Sequence, residues 1–146
     1  MISFNLSNRL IFIFSLIGLG VASFLFYEYS LSGPIFCPTG AGCDIVRASA
    51  YTKILGISIP LLGMAYYLTM AVLSVVHSHQ LPHKLVRKLQ TISASAAVGF
   101  GMYLTYLEAY VIEAYCFWCV LSFIISVAIL ITLVLSRDKR KDENRD

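Results

Sequence analysis

Four stretches without a charged side chain punctuate this sequence, at residues 10–27, 54–76, 89–107 and 114–136. At about 1.5 Å of rise per residue, helical runs of roughly 18–23 residues match a hydrocarbon core about 30 Å thick. The pattern predicts four membrane-spanning helices over residues 10–28, 54–76, 89–107 and 115–136, forming one unit over 1–136 with a charged tail over 137–146. The first run exceeds the apolar core of a cleaved signal peptide, and "SLSGPIF" after it lacks a small-x-small cleavage site, so it is read as a helix. Pro60 is read as a helix-start proline, and "TISASAAVGFG" in the third run as small residues that let backbones approach closely. The expected fold is an all-α integral membrane protein, a four-helix bundle with a long outer loop between the first two helices. Within that loop "CDIVRASAY" is expected to form a short interfacial helix begun by Asp44.

Composition agrees with this pattern: 58% of residues are hydrophobic and 13% charged, far from soluble usage. Charge then orients the bundle. Arg9 precedes the first run; Lys84, Arg87 and Lys88 lie between the second and third; Arg137, Lys139, Arg140, Lys141 and Arg145 follow the fourth. The other two connectors hold only Arg47 and Lys53 among their basic residues. Positive flanks resist translocation, so both termini are expected in the cytoplasm, in a cell (inner) membrane. This asymmetry accounts for the net charge of +3 without a nucleic-acid partner. "HSHQLPHKLVRK" reads as a solvated cytoplasmic turn to which no metal is assigned, and the apolar-free tail as disordered.

The four cysteines fall on the opposite, periplasmic or extracellular, side. Cys37 and Cys43 lie in the connector over 28–53, and Cys116 and Cys119 at the mouth of the fourth helix. Outside the cytoplasm disulfides persist, so an even count in two local pairs points to redox chemistry. Two static staples or a four-cysteine zinc site in a non-catalytic scaffold is the alternative, although the first pair is a loose C-x5-C. Cys116 and Cys119 open a helix whose first-turn amides stabilise a thiolate, and so short a loop gains little entropy from a disulfide, which marks a working pair. "SGPIFCPTGAGC" lets the other pair swing. A mobile pair beside a fixed one suggests a relay, from a soluble partner to an acceptor in the membrane. No nucleotide or haem motif is present, and a lipid-soluble quinone needs none; Phe117, Trp118, Phe123, Phe100, Met102 and Tyr103 are expected to line its cavity.

The C-x5-C pair, the following "CDIVRASAYTKILGISIPLLGMAYY" and the "YCFWC" at the last helix together resemble the vitamin K epoxide reductase family, in its prokaryotic branch without a fused thioredoxin-like domain. The resemblance implies a four-helix bundle around a quinone of the ubiquinone or menaquinone type. It implies that Cys119 meets the quinone, Cys116 receives electrons from the loop, Cys43 passes them through a transient Cys43–Cys116 bond, and Cys37 meets a thioredoxin-like partner. The disulfides implied are Cys37–Cys43 and Cys116–Cys119, and Ser49 matches a serine near the site. Because the chain ends in "SRDKRKDENRD", the partner is expected to be a separate protein. Animal enzymes that reduce the epoxide carry a tyrosine four residues after the last cysteine; here Phe123 stands there, so quinone reduction is expected rather than epoxide reduction. The expected activity is therefore a quinone-dependent thiol:disulfide oxidoreductase that drives disulfide formation in exported proteins. The unrelated four-helix quinone reductase of the bacterial disulfide pathway has its CxxC in the first outer loop, the reverse of the order here.

Overall fold

The computed structural model describes residues 4–38, 40–54, 56–76 and 82–143. Four long helices carry it: α1 (Phe4–Ser30), α3 (Ile59–Val76), α4 (His83–Leu107) and α5 (Phe117–Glu143). The loop after α1 holds a short helix, α2 (Gly42–Ala48), then a 3-10 turn (Ala50–Thr52) and a two-stranded antiparallel ribbon of β1 (Lys53–Ile54) and β2 (Ile57–Ser58). In its register Lys53 faces Ser58 and Ile54 faces Ile57. α1, α3 and α5, over Leu6–Ser30, Ile59–Val76 and Phe117–Ser136, are long and apolar enough to cross a membrane. The first turns of α4 carry Lys84, Arg87 and Lys88, so its apolar stretch begins only beyond them.

Several boundaries differ from the sequence pattern, each for a local reason. The second long helix starts at Ile59 rather than 54, because Gly56 at φ +83° turns the chain into the ribbon; Pro60 then sits at the second helical position, where its missing N–H is no loss. α4 begins at His83, six residues before the charge-free window, so part of the segment read as a solvated turn is helix. Residues 77–81 of that segment, which include His77 and His79, lie outside the described residues. α5 runs on to Glu143 through residues read as a disordered tail, because Arg, Lys and Glu are good helix formers and an existing helix extends without a new nucleus. Residues 144–146 lie outside the description.

The core lies where α1, α3 and α5 meet. Ile11, Met70, Ile129 and Leu133 are buried there around Tyr67. A Cβ at Gly18 of α1 would overlap the Tyr67 ring, so that glycine is what admits the ring between α1 and α3. The Tyr67 hydroxyl then donates to the Ser122 carbonyl at 2.7 Å, and its oxygen lies 3.2 Å from Ser126 Oγ. One side chain thus ties three helices together and satisfies its own polar atom, as a low-dielectric interior requires. At the end of the bundle away from the cysteines, Ser7 donates to Ser136 at 3.1 Å, and Arg87 reaches inward to Ser7 and to the Leu133 carbonyl, both at 3.4 Å. Arg87 is therefore part of the packed bundle rather than a solvated flank.

Candidate functional site

The site starts from how α4 ends. Its last turn widens into a π-turn (Glu108–Ile112), whose Glu108 carbonyl accepts the N–H groups of Glu113 and of Ala114, the latter at 3.1 Å. Glu113 closes this wrap in the left-handed region, at φ 54°. The chain then passes extended into Cys116, where the Glu108 side chain, folded back over eight residues, accepts the Cys116 N–H at 3.3 Å.

Cys116 is the N-cap of α5. Its carbonyl accepts the Val120 N–H at 3.1 Å, and its sulfur accepts the Cys119 N–H at 3.4 Å, the bond a serine or aspartate hydroxyl or carboxylate would make at that position. The Cys116 and Cys119 sulfurs are not joined in this structure. The Cys116 thiol is held below the ordinary range first by the hydrogen bond from the Cys119 side chain and then by first-turn amides, against burial and the nearby Glu108 charge. The Glu108 carboxyl is shifted the other way: burial raises it, opposed by the Cys116 N–H and the Cys119 side chain.

The loop brings the second pair to the first. Cys37 and Cys43 form a disulfide with Cα atoms 6.0 Å apart. Gly40, at φ +99°, turns the chain between them. At Gly42 a Cβ would overlap the Tyr115 carbonyl oxygen, so only glycine lets the start of α2 lie against the backbone just before Cys116. Cys43 and Cys116, each 0% exposed, consequently share one buried cluster with Ile35, Val46 and Ala114, and Cys37 and Cys119 pack at its margin. The loop is held by a small polar clamp. Asp44 accepts the Ile35 N–H with both oxygens (3.1 and 3.3 Å) and pairs with Arg47 at 3.0 Å; Arg47 donates to the carbonyls of Gly33 and Leu31 at 2.9 and 3.2 Å. On the other side the Trp118 indole donates to the Phe36 carbonyl at 2.8 Å.

Beneath the second pair lies a cavity of about 320 Å³, inside the range of small-molecule sites. Cys119, Trp118, Phe123 and Phe100 line it, as the sequence suggested. Phe117, Met102 and Tyr103 do not: Phe117 packs against the cysteine cluster, and Met102 and Tyr103, 61% and 51% exposed, face away from the bundle because inward positions on α4 are taken by Phe100, Gly101, Leu104 and Thr105. Ser49 is not among the lining residues either; its hydroxyl donates to the Val46 carbonyl at 2.7 Å and closes the end of α2. Three lining groups carry chemistry that sequence reasoning passed over or set aside. Glu108 and Tyr66 carry no mark in the sequence pattern, and Ser93 falls in the small-residue stretch read as packing. Among the described residues no group of three or more His, Cys, Asp or Glu is placed to hold a metal ion.

These features define a class: a membrane-embedded helical protein with two neighbouring cysteine pairs over an apolar cavity. The sequence matches the vitamin K epoxide reductase family over residues 9–134, and the chain belongs to that family. It is accordingly a membrane thiol oxidoreductase.

Proposed function

We propose that this protein carries electrons from a thioredoxin-like protein through Cys37/Cys43 and then Cys116/Cys119 to a membrane quinone, of the ubiquinone or menaquinone type, and so drives disulfide formation in exported proteins. α4 crosses the membrane as the fourth span, both termini lie in the cytoplasm, and the cysteines face the outer side; the basic residues at the opposite ends of the helices support this orientation. The observation that carries the reading is the division of sulfurs. Cys43 and Cys116 share a buried cluster, partly exposed Cys37 packs at its margin, and Cys119 borders the cavity.

In the relay, a partner thiolate attacks Cys37 Sγ and releases the Cys43 thiolate. That thiolate attacks Cys116 Sγ of the closed inner pair, and Cys119 leaves as a thiolate at the cavity wall. The partner's second thiol resolves the mixed disulfide, which releases the oxidised partner and frees Cys37 as a thiolate; attack by Cys37 on Cys43 then opens the Cys43–Cys116 bond, re-forms the loop disulfide and leaves the inner pair fully reduced. A bound quinone supplies two carbonyl oxygens that take up two electrons and two protons. The cavity suits such a ring on one further ground: the Tyr66 hydroxyl is buried there with no hydrogen-bond partner among the described residues, and a ligand carbonyl would satisfy it. Phe123 supplies no hydroxyl, so Tyr66 is the donor that holds the ring.

The test is turnover of purified protein in lipid discs with a dithiol and a short-chain quinone. One quinone is expected to be consumed per disulfide formed. Tyr66→Phe should raise KM about five-fold, the loss of roughly 1 kcal/mol of hydrogen bonding, with kcat little changed. No quinone consumption by the intact protein would end the reading.

A further inference from the structure

Closing the Cys116–Cys119 disulfide breaks two S–H bonds, forms one S–S bond and releases two electrons and two protons; reducing a quinone adds both electrons and one proton to each of its two oxygens. The electrons have a short route through Cys119. The protons need one too, in a cavity whose described lining holds Ser, Thr and Tyr hydroxyls and, in Glu108, one carboxyl.

Glu108 is placed for that task. Its carboxyl lines the cavity, accepts the Cys116 N–H at 3.3 Å and lies in hydrogen-bonding reach of the Cys119 side chain. It thus touches the Cys119 side chain, the backbone of Cys116 and the space where the acceptor sits. Tyr29 of α1 packs against the cysteine cluster, near enough to Glu108, Cys116, Cys119 and Arg47 to feel their charges. The ion pair of Arg47 is with Asp44, which leaves the Glu108 carboxyl to the cysteines.

We propose that Glu108 is the proton carrier of the inner pair, a catalytic residue that takes the thiol protons as the Cys116–Cys119 disulfide closes and delivers them in turn to the acceptor's oxygens. This rests on the quinone reading above and deepens it. The backbone makes the role possible: the π-turn and the left-handed Glu113 bring a side chain from the end of α4 under the start of α5. Burial also raises the carboxyl above the ordinary carboxylate range, which makes it a better proton acceptor than an exposed one. The carboxyl is reprotonated after each delivery by the next thiol, so two protons pass for each pair of electrons.

Glu108→Gln isolates the claim, because the amide oxygen still accepts the Cys116 N–H while the titrating proton is gone. Turnover of Glu108→Gln is expected to fall about 100-fold in kcat with KM within two-fold of wild type, and Glu108→Asp to recover part of the loss. A second readout needs no quinone. Infrared difference spectra of wild type, reduced minus oxidised at the inner pair, should contain a protonated-carboxyl stretch that Glu108→Gln lacks. A wild-type protein that shows this band yet consumes no quinone would strike out the acceptor and keep the proton exchange. A Glu108→Gln kcat within two-fold of wild type, or a wild-type difference spectrum without the carboxyl band, overturns the proposal.

Discussion

Cys119→Ala is expected to abolish quinone-dependent thiol oxidation, by on the order of 10⁴-fold or more, the scale of removing a covalent group. The reason is positional. Among the four sulfurs Cys119 alone lines the cavity, and no other cysteine replaces it there. The fold should survive, since Cys119 is only partly buried and its backbone N–H, not its side chain, makes the capping bond to Cys116. The Cys37–Cys43 disulfide should still oxidise one equivalent of a reduced thioredoxin-like protein. A single turnover followed by arrest, read by thiol counting and by quinone absorbance in the same sample, is the expected signature. Multiple turnovers would show that another group passes the electrons on.

Cys43→Ala should stop the relay at its other end. Cys43 is wholly buried beside Cys116, whereas Cys37 is partly exposed. Removing Cys43 leaves Cys37 able to enter a mixed disulfide with its partner and deprives that disulfide of the sulfur that resolves it from the loop side. The variant should accumulate the mixed species, visible as a mass shift on a non-reducing gel and identifiable by mass spectrometry of the attached peptide. Turnover with a protein partner should fall by on the order of 10³-fold or more. Turnover close to wild type without the mixed species would mean that Cys43 serves only to hold the loop.

Much of this architecture is legible in the residues, and the departures have physical causes. Charge-free windows mark the long helices because a bilayer tolerates little else, yet they do not show where a helix stops being apolar and goes on being a helix. Hence α4 starts at His83 and α5 continues to Glu143, where charged residues of good helix propensity prolong an existing helix. The turn at Gly56 was hidden inside an apolar window, since a glycine at positive φ leaves no mark in a hydrophobicity pattern. All four cysteines could be picked out, because their spacing in two local pairs marks them. Glu108 could not: it lies eight residues from Cys116, and only the widened turn with Glu113 in the left-handed region folds it back. One signal was present, an acid set between a long apolar run and a CxxC, where a lipid-facing carboxylate would be costly. Ser49 illustrates the opposite case. The family resemblance drew it toward the quinone, but three residues from Val46 its hydroxyl finds a local carbonyl to satisfy first.

Contact between the two couples is the central claim, and a double variant tests it with the fewest assumptions. Cys37→Ala combined with Cys119→Ala leaves Cys43 and Cys116 as the only sulfurs of the relay. Mild oxidation in the membrane, followed by alkylation and peptide mass spectrometry, should find them joined in a single disulfide at close to full yield. Recovery of both cysteines as separately alkylated peptides, in a protein that remains folded, would contradict the account.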